Sequence, residues 1–243
     1  VGHKIRYVVA SLPRSGTKYI SLVLDKMGLN CSHEGWLNNL KCETFSNRSS
    51  DVWGDVSWMA APHIAQLPAG TVVFHQLRDP IKVLNSNLPP GGDSYFRTWD
   101  KNAGLDSDPL YKKHLPWKRF IWEQTQDWVW PNGVSEEAES PEEIERLIFW
   151  WANWNLWIES AAMQRADLVY VRYKLEDMDG ELLKNIAHVI QPDIIPPRLQ
   201  HCENILKEVP TTVNRHRTPN NRITAGMLPP AARLLMYRYG YSE

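Results

Sequence analysis

Between residues 7 and 28 the chain changes its period twice. Tyr7-Val8-Val9-Ala10 is a short apolar run, and Ser11 to Lys18 (Ser-Leu-Pro-Arg-Ser-Gly-Thr-Lys) is a polar stretch holding one proline and one glycine. Tyr19, Ile20, Val23, Leu24 and Met27 then recur at helical spacing up to Gly28. The pattern predicts a strand, a tight loop and an amphipathic helix stopped by glycine. A helix that starts on such a loop aims its first N–H groups into it, where Ser15 and Thr17 also converge, and that suits a phosphate. Pro13 stiffens the loop, and Gly16 lets the backbone come close to a ligand.

The rest of the chain repeats the alternation of strand and helix. Leu29 to Glu34 is expected as a second strand that brings His33 and Glu34 beside the loop. Gly35 to Pro68 is broken by Asn38, Asn39, Asn47 and Ser49-Ser50, and is expected as loops with a short helix near Ser57 to Ile64. Thr71 to Leu77 is β-branched and apolar, as a buried parallel strand should be, and it ends at Arg78. Asp79 as cap and Pro80 in the first turn open a helix carrying Ile81, Val83, Leu84 and Ser86. Residues 88 to 132 are rich in proline without a long period and read as an insertion or lid. Ser140-Pro141-Glu142-Glu143 starts a long helix to about Gln164, in which Trp150, Trp154 and Trp157 share a packing face. Asp167 to Tyr173 is expected as a further buried strand, followed by a helix from Gly180 to Ile190. A short helical stretch to Lys207, a basic loop from Asn214 to Arg222 and a helix from about Pro229 to Tyr239 complete the chain. The expected fold class is α/β: one domain over residues 1–243, with a central parallel sheet flanked by helices.

Composition narrows the partners. With 243 residues, 43% of them apolar, the chain can bury a sizeable core. A net charge of −1 gives no reason to expect nucleic acid or an anionic membrane, so any anion site must be local. Cys31, Cys42 and Cys202 are odd in number and form no C-x-x-C pair, which points to reduced thiols and a cytoplasmic setting. No apolar run approaches the ~18 residues of a membrane span, and no signal peptide is expected. His33, His63, His75 and His114 lack the spacing of metal ligands, and no metal is expected.

The loop does not fit the nucleoside-triphosphatase pattern Gly-x-x-x-x-Gly-Lys-[Ser/Thr]. Position 11 is Ser, and the order Gly16-Thr17-Lys18 leaves no Lys-hydroxyl pair for a magnesium-bound triphosphate. Pro13-Arg14-Ser15-Gly16-Thr17 resembles instead the 5′-phosphosulfate loop of the sulfotransferases, Pro-[Lys/Arg]-Ser-Gly-Thr. Arg78-Asp79-Pro80 with Ser86, eight residues from Arg to Ser, is similar to that family's 3′-phosphate signature. Weaker likenesses lie in Tyr170 to Asp177, the Trp-rich helix, and Leu234 to Tyr241. Arg14 stands where many members carry Lys, and the Lys-Thr-His-Leu-Pro base motif of the cytosolic small-molecule branch is absent ahead of Arg78.

The resemblance implies a P-loop nucleotide-binding-like sulfotransferase fold with acceptor-side insertions at about 35–68 and 88–140. It also implies transfer of a sulfuryl group from 3′-phosphoadenosine 5′-phosphosulfate (PAPS) to a hydroxyl or amine of a small-molecule or carbohydrate acceptor, leaving adenosine 3′,5′-bisphosphate (PAP). Pro13, Arg14, Ser15, Gly16, Thr17 and Lys18 would hold the 5′ side, and Arg78 and Ser86 the 3′-phosphate. Arg14 would relieve the leaving group's charge, and Glu34, or else His33, would take the acceptor's proton. Residues next to each other on a strand point to opposite faces, so one of that pair is expected to reach the acceptor while the other packs. A magnesium-dependent phosphoryl-transfer enzyme and a non-catalytic nucleotide-binding module are the alternatives.

Overall fold

The computed structural model describes residues 5–35, 53–87, 143–211 and 223–242. The expectations for the lid at 88–132, the helix start at Ser140, the loop Asn214 to Arg222, Cys42 and His114 fall outside these residues. Contacts group the chain into two compact units, Val1–Asp79 with Trp154–His216 and Pro80–Asn153 with Arg217–Glu243. Among the described residues, no helix is long and apolar enough to cross a membrane.

The first unit contains the whole sheet. Strands β1 (Tyr7–Ala10), β2 (Cys31–His33), β3 (Gly54–Ser57), β4 (Val72–Leu77) and β5 (Val169–Lys174) lie in the order β2-β3-β1-β4-β5, and every pairing is parallel. Between β1 and β2 runs helix α1 (Thr17–Lys26), and beyond β5 come α4 (Gly180–Ile190) and α5 (Leu199–Glu208). Ile20, Val23 and Leu24 of α1, Leu183, Ile186 and Ile190 of α4, and Cys202 and Ile205 of α5 pack with Tyr7, Val9, Phe74 and Tyr173 of the sheet in one core. Asp179 caps α4 by accepting the Leu182 amide, and Gly28 closes α1 at φ 76° as its position suggested. Among the described residues, Cys31 is half-buried and Cys202 buried, and neither is part of a disulfide.

Helix α3 (Glu143–Met163) enters this unit from Trp154 onward. Its Trp154 is fully buried and donates its indole N–H to the Trp58 carbonyl (3.2 Å), and it meets the Trp157 ring edge-on at 5.4 Å. On the same helix, Asn155 Oδ1 lies 2.9 Å from His75 Nε2, so that nitrogen carries the proton and Nδ1 accepts from the Tyr170 hydroxyl at 2.8 Å. The second unit includes α2 (Pro80–Asn87), the first half of α3 and α6 (Pro230–Arg238). There Asn85 exchanges two 2.8 Å hydrogen bonds with the backbone of Ile223, and the rings of Trp151 and Tyr239 meet edge to face.

Two expectations require correction. The stretch from Gly35 to Pro68 is not only loops and a short helix: Gly54-Asp55-Val56-Ser57 is a fully buried strand between β2 and β1, followed by a 3-10 helix, Trp58–Gln66. It holds one β-branched apolar residue, lies between two neighbouring strands, and packs Gly54 under the Tyr7 ring, which occupies the space where a side chain would stand. Strand β5 is not buried throughout. Among the described residues it pairs only with β4, and of its six residues only Tyr173 is buried.

His75 gives the fold a pH dependence. Burial pushes its pKa down to about 4; the hydrogen bond with Asn155 opposes the shift and the Arg172 charge adds to it. Between the ordinary histidine value near 6.5 and 4, the unfolded chain binds a proton that the folded chain refuses, so stability falls as the pH drops through this window. The expected loss is about 3 kcal/mol by pH 4. Urea unfolding at pH 7 and pH 4.5 should show a smaller acid loss in His75→Gln than in the native chain.

Candidate functional site

Because all five strands are parallel, their carboxyl ends share one edge. Onto that edge β1 delivers the loop Ser11 to Gly16, β2 delivers His33 and Glu34, and β4 delivers Arg78. From β1 the order runs outward to β3 and β2 on one side and to β4 and β5 on the other, the kind of reversal that opens a ligand crevice at a sheet's carboxyl edge.

The loop is tightly wound. The Ser15 amide donates to the Leu12 carbonyl at 3.2 Å, Arg14 and Gly16 take left-handed conformations (φ 68° and 86°), and the first helical bond runs from the Ile20 amide to the Gly16 carbonyl. Ser15 and Thr17 are buried, Arg14 is half-buried and Lys18 is exposed. Strand β4 braces the turn from below. Gln76 Nε2 donates to the Ser15 carbonyl at 2.6 Å, and an Arg78 guanidinium N–H donates to the Arg14 carbonyl at 2.5 Å. Gln76 is in turn held by the Tyr173 hydroxyl, which donates to its Oε1 at 2.6 Å. Arg78 is thus part of the loop's own scaffold, and it brings positive charge to the loop.

His33 and Glu34 lie on the other side of α1's first turn. His33 Nε2 is 3.1 Å from Thr17 Oγ1 and 3.8 Å from Glu34 Oε1. The two side chains are therefore not separated onto opposite faces as strand alternation suggested. Glu34 lies just past the strand at φ 53°, and this left-handed turn swings its carboxylate back beside the imidazole. Asp55 anchors the turn from β3: its Oδ1 accepts the Ser32 hydroxyl at 2.5 Å and the Gly35 amide at 3.0 Å, while the Glu34 amide donates to the Val56 carbonyl. Burial, and secondarily the Asp55 charge, raises the pKa of Glu34. Burial lowers that of His33; Asp55 opposes this and Lys18 adds to it. Ser86 is on α2, in the second unit.

Sequence reasoning missed three supporting residues: Gln76, Tyr173 and Asp55. Gln76 carries a usable signal, a polar residue within an apolar strand and two positions before Arg78, hence on the same face. Asp55 carries none, because its strand has no apolar alternation to reveal it. No protein-family model and no curated protein matches the chain.

Gly16 combines two demands. Its φ of 86° disfavours any side chain, and a Cβ there would come within 2.5 Å of Leu175 Cδ2. Gly28 shares the left-handed conformation but has open space around it. Gly28→Ala should cost about 1–2 kcal/mol from backbone strain alone, and Gly16→Ala more. Comparison of denaturation midpoints at equal slope checks both values.

Proposed function

We propose that the protein is a sulfotransferase that moves the sulfuryl group of PAPS to a hydroxyl or amine acceptor. The observation that carries this reading is the folded form of Pro13 to Thr17. The stretch follows a central parallel strand, its Arg14 and Ser15 carbonyls are drawn back onto β4, and the N-terminus of α1 opens at its end. A loop of that shape offers N–H groups and positive charge to a phosphate, and its sequence resembles the family's 5′-phosphosulfate loop.

In this reaction the acceptor oxygen or nitrogen attacks sulfur as the bond from sulfur to the bridging oxygen of the 5′-phosphate breaks. The acceptor's proton passes to a base, and PAP leaves with the bond's electron pair. Arg14 and the N–H groups at the start of α1 meet the charge that develops on the leaving phosphate. Glu34 is the base, with His33 beside it between Thr17 and the carboxylate. Arg78 serves the 3′-phosphate through its remaining donors. Ser86 is assigned to the same phosphate by its spacing from Arg78 in the sequence.

PAP should raise the melting temperature without magnesium. Stabilisation by magnesium with ATP, and none by PAP, would point to phosphoryl transfer; PAP binding with no PAPS turnover would leave a nucleotide-binding module. Arg78→Ala should weaken PAP binding by about 1.5–3 kcal/mol, roughly tenfold to a hundredfold, in a calorimetric titration.

The base has its own signature. With the Glu34 pKa raised by burial, PAP release from PAPS should fall as the pH drops, with a midpoint shifted upward from that of an exposed glutamate, because the protonated carboxyl cannot accept the acceptor's proton. Glu34→Gln should lower turnover about 10²–10⁴-fold and abolish that limb while PAP affinity stays near native. Near-native turnover in Glu34→Gln with a collapse in His33→Gln would transfer the role to the imidazole.

A further inference from the structure

We infer that Gln76, held by Tyr173, is a positioning residue that sets the direction of the Gly16 N–H in the anion loop. The inference rests on the reading of this loop as a nucleotide site.

The chain of bonds has only one consistent orientation. The Ser15 carbonyl can only accept, so the end of Gln76 that lies 2.6 Å from it must be the NH₂ group. The Gln76 carbonyl then faces the Tyr173 hydroxyl, which donates to it at 2.6 Å. Gln76 and Tyr173 are both buried, and burial holds the Tyr173 pKa well above its usual value, so the phenol keeps the proton it donates. Strand β5 thereby orients a side chain on β4, which in turn orients the loop after β1.

The consequence for the site follows from peptide planarity. The Ser15 C=O and the Gly16 N–H belong to one trans peptide unit, so they point in opposite directions. Drawing the carbonyl down onto Gln76 turns the Gly16 N–H away from Gln76. Without Gln76 the buried Ser15 carbonyl lacks its side-chain donor, and Gly16, free of Cβ constraints, allows this peptide to rotate. A rotated peptide would aim its carbonyl at the anion in place of an N–H. The adjacent Arg14 carbonyl is fixed separately by Arg78, so the effect is specific to one amide.

The test uses the full chain, PAP as the probe, calorimetry for affinity and the ¹⁵N–¹H resonance of Gly16 for geometry. Gln76→Leu should weaken PAP binding about tenfold or more, the loss expected for one well-aimed donor to a phosphate, and should displace the Gly16 resonance in the free protein. Tyr173→Phe removes a single oxygen and should give a smaller, severalfold loss with a displacement in the same direction; it also serves if Gln76→Leu does not fold. A folded Gln76→Leu, or Tyr173→Phe in its place, with native PAP affinity and an unmoved Gly16 resonance would overturn the inference. If the native chain bound no PAP, the nucleotide reading would fall. The Gly16 resonance of the free variants would still decide the bracing: displacement supports it and an unmoved resonance overturns it.

Discussion

A parallel strand flanked on both sides must receive its partners by crossover, and β1 is such a strand. Its four residues are fully buried and are paired in register with β3 on one side and β4 on the other. No hairpin can make those pairings, and in an all-parallel sheet every strand ends on the same edge. That single constraint gathers the polar loop after β1, the His33-Glu34 corner after β2 and the Arg78 end of β4. The apolar character of Tyr7 to Ala10, unremarkable in itself, thereby decides where these polar segments meet.

The buried polar groups of the sheet fall into two sets with different consequences. On the α3 side, His75, Asn155 and Tyr170 satisfy one another within the interior, and their arrangement bears on stability and its pH dependence. On the α1 side, Gln76 and Arg78 donate to the backbone of the loop after β1, and Tyr173 holds Gln76, while on the opposite face Asp55 accepts from the turn after β2. Successive residues on β4 therefore divide the labour: His75 ties the sheet to a helix, and Gln76 ties it to a turn. The left-handed, non-glycine residues Arg14 and Glu34 lie in the two turns so held, where the surrounding bonds can offset conformations that would cost about 1–2 kcal/mol each in a free chain.

Much of the architecture could be read from the sequence wherever apolar period and punctuation agreed. β1, the helix ending at Gly28, β4 and the helix Gly180–Ile190 all carry a clear run or a clear stripe with a fitting terminus. Gly54 to Ser57 did not, because its place in the sheet depends on an absent side chain under the Tyr7 ring and on polar residues satisfied by distant partners. The edge position of β5 was hidden for the opposite reason: its alternation is that of a good strand, and only the strand order of the folded sheet leaves one of its sides with no neighbour among the described residues. The candidate loop was visible by composition. What could not be seen was its support, since Gln76 and Asp55 act through geometry that no local pattern encodes, and a left-handed Glu34 undoes the alternation rule that would have separated it from His33.

The bond between Tyr173 and Gln76 also has a meaning in time. It joins residues 97 apart, and at synthesis rates of about 5–20 residues per second the later partner follows the earlier by on the order of ten seconds. During that interval β4 lacks its outer strand, and the turn near Arg14 has its glutamine in place but nothing to orient it. Pairings of such long separation are slow to form for entropic reasons as well. Tyr173 is not yet synthesised when Ser11 to Gly16 emerge, so the brace on their turn is completed only after β5 has joined β4.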